Sequence, residues 1–135
     1  MNFGHYLLIL IGMFFLHIVD DYYLQGCLAQ MKQQSWWEKN APDEKYKHDY
    51  IMALFEHAFS WSFMIQLPWF VLNFISYDTG LTVCLVITYI YNTCVHAFVD
   101  TLKANEHILN LIEDQKIHFI QITGTWLILL LAYII

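Results

Sequence analysis

Hydrophobic and polar positions alternate along this chain in long blocks. Residues 1–19, 57–77, 79–99 and 117–135 contain no Asp, Glu, Lys or Arg, and each uncharged block is 19 or 21 residues long. A bilayer core is crossed by about 20 apolar residues in a helix, so each block has the length of one crossing. The pattern predicts four apolar helices over about 3–25, 50–75, 81–103 and 111–135, the first of them continuing as helix to about Gln30. Between the first two lies a polar stretch, 31–49, with Trp36 and Trp37 side by side, read as an amphipathic segment lying along a membrane interface. Pro68 is expected to kink the second helix, and Ser76–Gly80 to form a tight turn.

Composition supports the same class. Of the 135 residues, 59% are hydrophobic and only 13% charged, about half the usual charged share of a soluble protein. The expected fold is all-α: one domain, 1–135, an integral-membrane four-helix bundle. The formal charge of −6 is scattered and there is no arginine, so no basic patch for nucleic acid exists. Cys27, Cys84 and Cys94 are odd in number and make no CxxC, which leaves no disulfide framework. The lysines sit on one side of the predicted topology, at 32, 39, 45 and 47 after the first helix and at 103 and 116 around the last connection. The positive-inside rule then places those connections in the cytoplasm and both termini outside.

The few polar residues within the blocks carry the candidate chemistry. His17 and Asp21, His96 and Asp100, and Asp114 and His118 are pairs four residues apart, which share a helix face. With His57 in the second helix, all fall in the same cytoplasmic third of the four-helix topology. Asn92, His96 and Asp100 form one stripe, and Asp114, His118, Gln121 and Thr125 another. Ionisable groups at membrane depth are costly and face the bundle interior, paired or coordinating an ion. Four imidazoles and three carboxylates are ligands for a divalent transition metal, zinc first, iron or manganese as alternatives. The candidate metal ligands are therefore His17, Asp21, His57, His96, Asp100, Asp114 and His118. Asp21, Asp100 and Asp114 are the candidate bases for a metal-bound water.

Asp20 is an alternative to Asp21, because a spacing of three also reaches the face of His17. Glu56 points about 100° away from His57 on an ideal helix. His5, His48 and His107 lie at ends or in connections and are read as solvent-facing. Haem ligation by four histidines is disfavoured, since it has no use for the accompanying buried acids.

These motifs together resemble a small bacterial and phage membrane-protein family catalogued as domain of unknown function 3307. The resemblance rests on His17–Ile18–Val19–Asp20–Asp21 followed by Leu24–Gln25, on His57, on His96–Ala97–Phe98–Val99–Asp100, and on Asp114–Gln115–Lys116–Ile117–His118. Their order touches all four helices, while the Trp- and Lys-bearing stretch 31–50 departs from the pattern. The resemblance implies a four-helix membrane protein, phage-encoded and lying in a bacterial inner membrane or the membrane of a phage-infected host; it supplies no activity, and adds Gln25 and Gln115 as residues that support the ligands.

Two functions are open at this point. One is a membrane-embedded metal-dependent hydrolase taking a lipid or other amphiphile from the cytoplasmic side. The other is a non-enzymatic membrane protein, an ion or proton carrier or a factor contacting a host membrane protein, whose His/Asp cluster is structural. Homo-oligomerisation fits either.

Overall fold

The computed structural model describes residues 3–135 and is all-helical among them. Four long helices, α1 (Phe3–Val19), α4 (Asp49–Ser76), α5 (Thr79–Ala104) and α6 (Leu111–Ile134), form the bundle. Two short ones, α2 (Leu28–Met31) and α3 (Gln34–Asn40), and a 3₁₀ turn at Glu44–Tyr46 lie between α1 and α4. Each long helix packs on its neighbour in the ring α1–α4–α5–α6, and the α6–α1 seam that closes the ring is the sparsest. Neighbours run antiparallel, so the end of α1, the start of α4, the end of α5 and the start of α6 meet at one end of the bundle.

The first helix is shorter than its hydrophobic pattern predicts. Instead of continuing to Gln30, α1 gives way to a π turn over Asp20–Leu24 and stops before Gly26, whose φ of +52° is the left-handed conformation that glycine adopts without penalty. The chain then restarts as α2. Pro68 lies inside an α4 that runs without a break in assignment from Asp49 to Ser76. Its ring faces Gly12 of α1, where an added Cβ would sit 3.5 Å from the proline Cγ. The 31–49 stretch carries α3, on which the Trp36 and Trp37 rings meet edge to face. Trp37 also donates to the Met31 carbonyl at 2.6 Å.

Helix ends are set by side chains. Asp78 accepts the Leu81 amide at 2.9 Å and starts α5 two residues after α4 stops. Asn110 starts α6 with a capping box: its Oδ1 accepts from the amides of Ile112 and Glu113, and the Glu113 carboxylate accepts from the Asn110 amide at 2.9 Å. Because this cap also places Asp114 at the entrance to the bundle, Asn110→Ala is expected to lower stability by about 1 kcal/mol. A fall in the thermal midpoint of the detergent-solubilised protein measures it; an unchanged midpoint would remove the cap from the account.

The interior is layered. Away from the shared end, Met13, Ile65, Trp69, Leu81, Leu85, Ile122 and Leu129 form a fully buried apolar core. A middle layer joins polar groups across helices. Asn92 donates to Thr125 at 3.0 Å, Gln121 donates to Asn92 Oδ1 at 3.0 Å, and Thr88 donates to Gln66 at 3.3 Å. Toward the shared end come the histidines and aspartates. Among the described residues, buried polar side chains outnumber buried apolar ones, while Phe15, Phe59, Ile90, Phe98 and Ile120 stand exposed on the outside. All four bundle helices are long and apolar enough to cross a membrane.

Candidate metal centre

The π turn decides how α1 contributes. In a regular helix Asp20 and Asp21 would point about 100° apart, and only one would face inward. The widened turn brings both inside: Asp20 is 1% exposed and Asp21 8%. Asp20 accepts the Ser60 hydroxyl at 2.7 Å and lies 3.8 Å from His57 Nδ1, while Asp21 Oδ1 lies 3.3 Å from His57 Nε2. The choice between the two aspartates thus resolves as a division, with Asp20 behind the imidazole and Asp21 in front of it.

The remaining walls follow. His57 Nε2 and His96 Nε2 face each other at 3.1 Å. Asp100 Oδ2 is 3.4 Å from His57 Nε2 and 3.8 Å from His96 Nε2, and its other oxygen is 3.7 Å from His118 Nε2. His118 Nε2 is also 3.2 Å from Asp114 Oδ1. His17, His57, His96, His118, Asp100 and Asp114 are each at most 2% exposed. All seven sequence-derived residues therefore converge in one buried pocket of charge. Two triads within it, Asp21–His57–His96 and His96–Asp100–His118, hold their ligand atoms close enough to share an ion.

His17 stands outside both triads, and its ring nitrogens are engaged. Nδ1 accepts from Trp61 Nε1 at 2.8 Å, and Nε2 lies 2.9 Å from Gln115 Oε1, to which it donates. The pair of bonds fixes the neutral tautomer and makes His17 a support for its neighbours. Asp114 also lies outside the triads; it reaches the cluster through His118. Gln115 ties the corner together, donating at 3.1 Å to both Asp21 and Asp114. Gln25 caps the π turn by donating to the Asp21 carbonyl. His5, Glu56, His48 and His107 are exposed and take no part in the cluster.

Three contributors escaped the sequence pattern. Lys32, from the α2–α3 connection, reaches in to Asp100 Oδ2 at 2.6 Å, and Lys103 pairs with Asp114 Oδ2 at 2.6 Å. Read only as topological charges, they are the cluster's counter-ions. Lys32 is held over the site by Asn105, which accepts the Gln34 amide at 2.7 Å and donates to the Lys32 carbonyl at 3.1 Å. The third is Trp61, fully buried one turn after His57. It stacks on His96 with ring centres 4.1 Å apart and planes 17° from parallel while holding His17 by its N–H. The spacing of four from His57 was a signal that it shares that face; its aromatic character read as packing.

The cluster gathers more carboxylates than ammonium groups. Asp20, Asp21, Asp100 and Asp114 are buried, and among the described residues Lys32 and Lys103 are the ammonium groups paired with them, which leaves two negative charges when the four carboxylates are ionised and the imidazoles neutral. In a low-dielectric interior such an excess is costly unless a cation completes it. The geometry suits one. A tetrahedral ion bound at about 2.0–2.1 Å separates its ligands by about 3.3–3.4 Å; the His57–His96, His57–Asp21 and His57–Asp100 separations lie close to that value, and the His96–Asp100 separation, 3.8 Å, is wider. His57 Nδ1, His96 Nδ1, both nitrogens of His118 and Asp114 Oδ1 are buried without a hydrogen-bond partner. Buried polar groups are normally satisfied, so these Asp and His groups can hold a metal ion.

Compared with models of known families, with curated proteins and with solved structures, the chain gives no match.

Proposed function

We propose that this chain is a multi-pass membrane protein that binds a divalent transition metal in its His/Asp cluster and uses it as a hydrolase on a lipid or other amphiphile. The observation that carries the metal is the set of imidazole and carboxylate atoms around His57 Nε2, at 3.1, 3.3 and 3.4 Å, in a buried site where four aspartates face two lysines. Zinc is the first candidate, because imidazole nitrogens with carboxylate oxygens are a donor set that zinc takes. The apolar exterior supports the membrane assignment, since exposing so much of it to water would cost about 25 cal/mol for every Å². Lysines 32, 39, 45, 47, 103 and 116 at the cluster's end of the chain topology support a cytoplasmic site with both termini outside. The resemblance to domain of unknown function 3307 belongs to the same reading, because the residues that carry it are the ones that converge.

A bound metal supplies a water acidic enough to attack at neutral pH. Asp21 is the residue placed to take the water's proton: it is the most exposed of the seven, and Gln115 holds its Oδ2 while its Oδ1 faces His57. Beside Gln115 a groove of about 470 Å³ runs along Ile18, Tyr22, Tyr23 and Phe119 at the α1–α6 seam. Its apolar walls suit an acyl chain, and Gln115, which also lines it, donates to Asp21 at 3.1 Å. A carrier needs a polar path through the bundle, and the apolar core beyond Gln66 and Thr88 argues against one.

Elemental analysis of the full chain purified in mild detergent is expected to find stoichiometric metal, removed by a strong chelator. The metal-loaded protein is expected to cleave fluorogenic phospholipid in mixed micelles, with activity lost on chelation. Absence of metal sinks the whole reading in favour of a structural cluster. Metal without chelator-sensitive cleavage of acyl-ester or phosphoester probes sinks the hydrolase.

A further inference from the structure

We infer that the cluster is built for two cations, with the Asp100 carboxylate between them. This rests on the metal-binding reading above and extends it to a second site. The donors fall into two groups that have only His96 in common. A neutral imidazole nitrogen offers one lone pair, and His96 Nε2 lies 3.1 Å from His57 Nε2, which commits it to the group containing Asp21. His118 then needs other partners, and it has them: Asp114 Oδ1 at 3.2 Å and Asp100 Oδ1 at 3.7 Å.

Asp100 is oriented for the shared role. Oδ2 faces His57 at 3.4 Å and Oδ1 faces His118 at 3.7 Å, so its two oxygens address different halves of the cluster. Carboxylates projecting from facing helices bridge paired metals in this manner in helical bundles. The second half also carries its own mark of an unfilled role. His118 and Asp114 are each 0% exposed, both His118 nitrogens and Asp114 Oδ1 lack a hydrogen-bond partner, and the 3.2 Å approach between them is too poorly aligned to be a hydrogen bond. Nothing in the first group satisfies them.

The lysines repeat the division. Lys32 occupies Asp100 Oδ2 in the first half and Lys103 occupies Asp114 Oδ2 in the second, each at 2.6 Å, so each half holds a carboxylate oxygen that an entering ion would share with, or take from, an ammonium group. One divalent ion neutralises the surplus charge of the cluster. A second enters against a neutral site and binds more weakly, together with a hydroxide or by displacing an ammonium group. The two ions are therefore expected to load in unequal steps, the Asp21–His57–His96 half first.

The test is a cobalt(II) titration of the chelator-stripped full chain in detergent, followed by visible absorption and checked by metal-to-protein ratio after desalting. The unmodified protein is expected to saturate at two ions per chain in two unequal steps. His118→Ala is expected to leave one ion bound at the affinity of the first step; His57→Ala is expected to abolish that first step. Each variant is used only where its gel-filtration peak and helical circular dichroism match the parent, and Asp114→Asn substitutes for His118→Ala where the latter fails. Spin coupling between the two ions in the fully loaded parent gives a readout free of any substitution. Saturation at one ion, with His118→Ala unaltered, overturns the second site and leaves the first standing. So does a single step lost equally in both variants. No binding in the parent overturns the metal reading itself, a separate result.

Discussion

Replacing His96 by alanine is expected to abolish the first, tighter metal site and to erase the stability that its ion confers. His96 is the one residue common to both ligand triads, and it is wedged between Trp61, His57 and His118, with ring centres 4.1, 5.0 and 4.3 Å away. Two losses follow, and they are separable. Truncating a buried ring leaves a cavity and costs about 2–4 kcal/mol whatever the metal content. Losing the ion forfeits the linkage term, about 2.7 kcal/mol when free metal stands at 100 times its dissociation constant. Thermal unfolding with added zinc and with chelator distinguishes them. The parent's midpoint should rise on adding metal, whereas the variant's should be lower in chelator and gain far less from metal. A variant that gains as much from metal as the parent would show that His96 is packing and not a ligand.

Trp61→Ala is expected to be the most damaging change that replaces no proposed ligand. Removing a fully buried tryptophan costs about 3–5 kcal/mol in cavity and lost transfer. Here it also frees two imidazoles: His96 loses the face it stacks on, and His17 loses the donor to Nδ1. Trp61→Phe separates those roles. The ring remains to support His96, while His17 Nδ1 is left buried and unpaired at a cost of about 1–3 kcal/mol. The expected order of unfolding midpoints is alanine below phenylalanine below the parent. Metal affinity is expected to fall in the alanine variant and to hold in the phenylalanine one. Equal midpoints for phenylalanine and parent would remove the His17 bond from the account.

Much of the bundle is legible in the chain before folding. The uncharged blocks mark four apolar helices because charge is excluded over the length of a crossing. The pairs His17/Asp21, His96/Asp100 and Asp114/His118 share faces because four residues make about one turn. Antiparallel packing then brings them to one end. Local pattern is silent where a short breach of regular helix matters: the π turn at Asp20–Leu24 internalises both aspartates, and the restart after Gly26 aims Lys32 back at Asp100. It is silent also on partners. Nothing in the spacing of His17 distinguishes a ligand from a side chain already engaged by Trp61 and Gln115, which lie 44 and 98 residues along.

The opposing sides of that ledger have one physical cause. Periodicity and hydropathy act along the chain, so the sequence alone determined the four helices, their shared polar end and the residue types gathered there. The partner of each buried nitrogen and oxygen depends on how the helices turn against one another about their axes. Packing across the bundle settles that rotation. Only the tertiary structure therefore decided that His57 is flanked by Asp20 and Asp21, that Asp100 faces two ways, that two lysines turn inward, and that Trp61 holds the imidazoles in place.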